Sequence, residues 1–177
     1  LTRRPLPIHI VGLKKTGKSR LVESLVRELG RLGARTAVLK HDGSGHFRWD
    51  TEGTDTYKVR AAGSPVTAIL SNHDFAVHAS DGLRVTLPQI VETFFQGFDI
   101  LLVEGFKRLE GRKVEVLREG VSADPLCPEE DLIATFGDRL PGRDAPHFDP
   151  EDVPGLAKLL FQLFREKAAT AVPQAAR

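Results

Sequence analysis

Gly12-Leu13-Lys14-Lys15-Thr16-Gly17-Lys18-Ser19 constrains the fold more than any other stretch of this chain. It fits G-x-x-x-x-G-K-[ST] at every fixed position. Gly12 and Gly17 let the backbone bend so that successive N–H groups converge on phosphate oxygens. A helix beginning near Lys18 points its positive dipole end at the same anion. Lys18 can neutralise terminal phosphates, and the Ser19 hydroxyl can ligate Mg²⁺. The ordinary alternative is a surface turn, rich in Gly and Lys, that caps a helix. Context favours the phosphate loop. IHIVG (8–12) is a short β-rich run ending in Gly. From Lys18 to Leu32, Leu21, Leu25 and Leu29 recur every four residues, with Val22, Val26 and Leu32 on the same face and Gly33 as a stop.

The rest of the chain continues the alternation. ARTAVLKH (34–41) reads as a second strand and 41–55 as a long polar loop. TYKVRAAG (56–63) reads as a short helix closed by Gly63. PVTAILS (65–71) and FAVHAS (75–80) read as strands joined by a turn at Asn72-His73-Asp74. Leu87 to Phe95 has helical spacing. DILLVEG (99–105) holds a fully apolar strand, KVEVLR (113–118) alternates like a half-buried one, and DLIATFG (131–137) is another. Glu151 to Lys167 is an amphipathic helix. Strands alternating with helices predict an α/β fold, a doubly wound, mainly parallel sheet of the P-loop nucleoside triphosphatase (NTPase) type. One nucleotide-binding domain is expected over 1–168, with a disordered C-terminal tail over 169–177.

Composition excludes several function classes. A net charge of +1 argues against a general nucleic-acid binder. The single cysteine, Cys127, rules out an intramolecular disulfide and a multi-cysteine metal site. No apolar run is long enough to span a membrane and no signal-peptide pattern opens the chain, so the cytoplasm is the expected location. The absence of methionine, the initiator included, suggests a processed or trimmed N-terminus.

A phosphate loop needs an acidic group at the end of a neighbouring strand, to hold Mg²⁺ directly or through water. Glu104 ends the most apolar strand, where a carboxylate is costly without a cation or donors beside it. Gly105 can then present its N–H toward a terminal phosphate. The alternative is a strand-end Glu paired with Lys107 or Arg108. The 41–55 loop supplies further candidates: Asp50 or Asp55 for positioning the attacking water, and His41 and His46 for phosphate, a metal or a partner. The H-x₄-H spacing is loose for zinc. The working site is therefore Asp50 and Glu104 as catalytic groups and Ser19 and Glu104 as metal ligands. Gly12, Lys14, Lys15, Thr16, Gly17, Lys18, Ser19 and Arg20 are the nucleotide contacts. Simple surface solvation remains the alternative for Lys14 and Lys15.

The order of segments carries a resemblance: phosphate loop, LKHDGSGHF, WDTEGTDTYKVRAAG, DILLVEGFK, KVEVLR. Over roughly Ile8 to Arg118 this resembles the molybdopterin-guanine dinucleotide biosynthesis protein B (MobB) family. The Val-Glu-Gly-Phe-Lys segment, with the Lys-His and Asp-Thr-Tyr segments, is more telling than the loop alone. Family loops often continue with Thr-Thr, where this chain has Ser19-Arg20. Family histidines are often adjacent, whereas His41 and His46 are separated. The resemblance implies a GTP-binding protein with weak GTPase activity and Mg²⁺ as cofactor. It would be an adaptor beside the molybdenum cofactor guanylyltransferase, and a homodimer like related P-loop proteins. Molybdopterin is a candidate second ligand, with Lys107 and the His41–His46 loop as contacts.

Guanine is read by an Asp that accepts from its N1–H and N2–H₂ edge. Asp138 falls where such a residue belongs, although the family's Ala-Thr-Asp is here Ala134-Thr135-Phe136-Gly137-Asp138. The alternative is a turn with Arg139. Two other functions compete: an ATP-using small-molecule kinase or ligase with Arg108–Lys113 as a basic lid, and a nucleotide-binding module without significant turnover.

Overall fold

In the computed structural model, residues 4–43, 45, 48–80, 85–122 and 124–170 are described. In chain order the elements are β1 (Leu6–Val11), α1 (Lys18–Arg31), β2 (Thr36–Lys40), α2 (Asp55–Ala61), β3 (Val66–Leu70) and β4 (Phe75–Ala79). There follow α3 (Leu87–Phe94), β5 (Ile100–Glu104), β6 (Lys113–Leu117), a 3₁₀ turn at Glu129–Asp131, β7 (Leu132–Gly137), β8 (His147–Phe148) and α4 (Val153–Thr170). Contacts divide the chain into two units, Leu1–His41 with Glu92–Arg177, and Asp42–Val91.

The first unit is a six-stranded sheet in the order β2-β5-β1-β6-β7-β8, and every pairing in it is parallel. The α/β class expected from the sequence is the observed one. β1 and β5 sit inside the sheet, which is why both are dominated by aliphatic residues with neither face left for water. Leu6, Ile8 and Ile10 of β1 share a core with Leu21, Val22, Leu25 and Leu29 of α1 and with Leu156, Leu160 and Phe164 of α4. The four-residue spacing of the α1 leucines thus reports a helix seated on the sheet, with α4 packed beside it. Asp152 starts α4: its Oδ1 accepts from the Gly155 N–H at 2.9 Å, satisfying a donor that the helix leaves open. The helix runs on through Ala169 and Thr170, the first two residues of the expected tail. Residues 171–177 lie outside the described set.

The other face of the central strands corrects one expectation. KVEVL is buried along its whole length rather than half-buried: Lys113 is 1% exposed and Glu115 0%. The alternation is real, but the charged side is covered, because each charge has a partner. Arg143 Nε donates to Glu115 Oε2 at 2.9 Å, and the Leu126 N–H donates to Glu115 Oε1 at 3.0 Å. Lys113 Nζ donates to Asp131. Hydrogen bonds from Lys113 and from the Gly111 N–H hold the Asp131 carboxyl below the usual carboxylate range. Burial first, then the Lys113 charge, pushes His9 down, toward its neutral form. Val11, Cys127 and Leu132 form a small apolar cluster on this side.

Burial, with the Glu115 charge behind it, pushes the Cys127 thiol up to about 11. The native protein should therefore react very slowly with thiolate-directed reagents at pH 8, and faster as the pH approaches that value. Alkylation followed by mass spectrometry, with urea-unfolded protein as reference, checks this.

The second unit holds α2 and an antiparallel β3–β4 hairpin that forms its own two-stranded sheet. PVTAILS and FAVHAS are strands as expected, but they do not join the main sheet. Thr54 caps the start of α2: its hydroxyl accepts from the Tyr57 N–H. α3 spans the boundary between the units in sequence.

Candidate functional site

The motif turns between β1 and α1, so the chain leaves the buried centre of the sheet and enters a helix. Gly12 is required by crowding: a Cβ there would sit 2.8 Å from both Thr16 Oγ1 and the Val116 carbonyl. Gly17, with φ +98°, is the residue before α1, and no side chain caps the helix. The first-turn N–H groups therefore keep their capacity for an anion. Inside the loop, Thr16 Oγ1 donates to the Leu13 carbonyl at 3.0 Å and Lys18 Nζ donates to the same carbonyl at 2.6 Å. Arg118, just past β6, donates from Nη1 to the Lys15 carbonyl at 3.0 Å. That contact pins Lys15, a non-glycine residue at φ +66°.

Glu104 sits where the sheet delivers it, at the C-terminal end of β5 and beside the start of α1. It is 8% exposed. Ser19 Oγ donates to Glu104 Oε1 at 2.8 Å, joining residues 85 positions apart. Lys40, last residue of β2, completes the cluster at 3.2 Å from the same oxygen and 3.3 Å from Ser19 Oγ. The partner of Glu104 is thus Lys40, not the Lys107 or Arg108 considered from sequence. Burial pushes the Lys18 ammonium below its ordinary range; Lys40 and Lys107 push the same way, and Glu104 opposes. Around Lys18, the Lys40 and Lys107 ammonium groups thus outnumber the single Glu104 carboxylate.

Gly105 follows with φ +99°, and a Cβ there would meet His41 Cβ at 3.1 Å. Its N–H donates to the Ile10 carbonyl at 3.2 Å, extending the sheet ladder. It is therefore not offered to a phosphate as expected. The His41 N–H donates to the Glu104 carbonyl at 2.9 Å, and its ring lies 4.1 Å from that of Phe106.

On the opposite side of the loop a cavity of about 600 Å³ opens between α1, the ends of β6 and β7, and the start of α4. Its walls include Thr16, Gly17, Arg20, Arg118, Asp138 and Glu151. Asp138 Oδ2 accepts from the Glu119 N–H at 2.7 Å, and the Asp138 N–H donates to the Leu117 carbonyl. Asp138 is thus tied to the end of β6 and faces the loop's flank.

The first unit brings together Gly12, Thr16, Gly17, Lys18, Ser19 and Glu104, with Arg20 and Asp138 on the cavity. Lys14 and Lys15 are exposed on the outside of the loop. Asp50 belongs to the second unit. There its Oδ1 accepts from the Thr51 N–H at 2.8 Å and from Thr54 Oγ1 at 2.7 Å, fixing the turn before α2. Hydrogen bonds from Thr56 and Thr54 hold its carboxyl below the usual range. His46 lies outside the described residues. Among the described residues, no group of three or more His, Cys, Asp or Glu is placed to hold a metal, and no helix is long and apolar enough to cross a membrane. The proposed basic lid loses a member, because Lys113 is buried in β6. Sequence reasoning missed Lys40 and Arg118. The signal for both was position: each sits at the C-terminal end of a parallel strand, where ligands gather in such sheets.

The sequence matches the family profile "Molybdopterin guanine dinucleotide synthesis protein B" (MobB) over residues 8–138. The chain belongs to the MobB family. The matched span runs from β1 to Asp138 and so includes both sides of the loop. A molybdopterin-guanine dinucleotide biosynthesis adapter protein of Escherichia coli is 29% identical over 159 residues, which cover 86% of this chain and 89% of the relative. The adapter protein of the same description from Haemophilus influenzae is 31% identical over 135 residues, 76% of this chain and 75% of its own length. A crystal structure of Bacillus subtilis MobB superposes with a TM-score of 0.69 at 26% identity, over 89% of this chain and 96% of that one.

Proposed function

We propose that this protein binds GTP with Mg²⁺ at the Gly12–Ser19 loop. We further propose that it acts, with slow hydrolysis, as an adaptor in molybdopterin guanine dinucleotide biosynthesis beside the guanylyltransferase. The observation that carries the reading is the 2.8 Å hydrogen bond between Ser19 Oγ and Glu104 Oε1. It joins a hydroxyl of the loop to a carboxylate of a distant strand, a pair of hard oxygens that supports a divalent-ion site beside a bound phosphate. Mg²⁺ takes such oxygens readily, so the residues fit the cofactor. The net positive cluster of Lys18, Lys40 and Lys107 suits a polyphosphate. Ser19 and Glu104 would hold the metal, and Lys18, the loop N–H groups and the α1 N-terminus would hold the phosphates. Bound Mg²⁺ supplies charge neutralisation of the terminal phosphates.

Asp138, on the wall of the adjoining cavity, is the candidate reader of guanine. The adaptor role rests on the names of the E. coli and H. influenzae relatives. Tagged protein loaded with a non-hydrolysable GTP analogue should retain the purified guanylyltransferase on a pull-down. Equal retention by unrelated P-loop protein, or no retention at all, would remove the adaptor role. Phosphorylation of a small metabolite by the purified protein would replace it with the kinase reading.

A further inference from the structure

The position of Lys40 relative to the Ser19–Glu104 pair extends the nucleotide reading, on which this inference rests. Lys40 and Glu104 are register partners on adjacent parallel strands, so both strands end at the same level. Lys40 Nζ lies 3.2 Å from Glu104 Oε1 and 3.3 Å from Ser19 Oγ, the two oxygens assigned to the metal. The ammonium therefore touches both proposed ligands at once. A divalent ion held by these residues would use the same oxygen lone pairs that the ammonium occupies. The ammonium and the ion cannot share them.

The rest of the local structure makes this exchange feasible. Glu104 is buried and fixed, its side chain only 11% exposed, whereas the Lys40 side chain is 61% exposed on a flexible stem. Lys40 can leave toward water while the carboxylate stays. Lys18 interacts with Glu104 and carries the Lys40 and Lys107 charges near it, so a bare divalent ion meets repulsion before it meets its ligands.

We infer that Lys40 is a positioning residue: a tethered cation that holds the Ser19–Glu104 pair and competes with the divalent ion for it. Metal then enters with the polyphosphate, whose negative charge offsets the surrounding ammonium groups, and the protein without nucleotide binds the ion poorly. The carboxylate keeps its geometry between the two states because one cation replaces another.

The test uses Mn²⁺ as the probe, followed by electron paramagnetic resonance, on nucleotide-free full-length protein. Wild type, Lys40→Met, Lys40→Arg and Lys40→Met with Glu104→Gln are compared. Lys40→Met should bind Mn²⁺ about tenfold more tightly than wild type, the scale expected for removing one partly exposed competing charge. Lys40→Arg should stay as weak as wild type, and adding Glu104→Gln should abolish the gain. Equal or weaker Mn²⁺ binding by Lys40→Met overturns the inference, as does a gain that survives Glu104→Gln. Because no nucleotide is present, this outcome is read separately from the nucleotide assignment. That assignment fails on its own if wild type binds no fluorescent GTP in Mg²⁺.

Discussion

Replacing Lys18 with alanine is expected to weaken nucleoside triphosphate binding about a hundredfold, since two charge-assisted hydrogen bonds to phosphate are worth roughly 1.5 kcal/mol each. The stability of the fold should barely change. Lys18 is half-buried and spends its charge on a loop carbonyl, 2.6 Å away, rather than on the core. Its ammonium is pushed below its ordinary range, chiefly by burial, and a bound anion would relieve that. Equilibrium titration with a fluorescent nucleotide and a thermal melt separate the two effects. Unchanged affinity in Lys18→Ala would break the assignment of the Gly12–Ser19 loop to phosphate.

Arg143→Ala is expected to be the most destabilising change at a charged position, costing about 3–5 kcal/mol, because it leaves a buried carboxylate without its counter-charge. Glu115 is fully buried and the Arg143 side chain is 4% exposed. Among the described residues, the Leu126 N–H on Glu115 Oε1 would be what remains. Replacing both residues with apolar ones of similar size, Glu115→Met with Arg143→Leu, should cost far less than the single change. Urea denaturation of the two variants provides the comparison. A double variant as unstable as Arg143→Ala would mean that the pair matters for packing rather than for charge compensation.

The same pair shows where a sequence becomes hard to read. Lys113-Val-Glu-Val-Leu117 alternates as a strand with one wet face should. Its partners, Asp131 and Arg143, lie 18 and 28 residues away, one at the entry to the next strand and one in the loop after it. Nothing local announces that they fold over the sheet. The α1 helix was legible for the opposite reason: its apolar spacing repeats within four residues, and one helix face meets one sheet face. β5 was legible because four aliphatic residues in a row suit only a strand buried on both sides. Glu104 stood out in the sequence because a phosphate loop calls for an acid nearby, and the structure sets it against Ser19 of that loop. Its true partner, Lys40, did not, because the pairing comes from the parallel register of β2 with β5. Gly105 was read for its N–H, yet the structure uses its left-handed φ and its lack of a side chain beside His41. The β3–β4 hairpin was read as two strands correctly, but strand pattern alone does not say which sheet a strand joins.

The proposed binding of GTP with Mg²⁺ at the Ser19–Glu104 end of the loop, with Asp138 reading the base, is open to a direct check. Calorimetric titration of wild-type protein with GTP and with ATP, each with and without Mg²⁺, tests it most directly. GTP binding should strengthen with Mg²⁺ and exceed ATP binding by at least about tenfold, the scale of one or two hydrogen bonds to a carboxylate. ATP bound as tightly as GTP, or GTP binding indifferent to Mg²⁺, would contradict it.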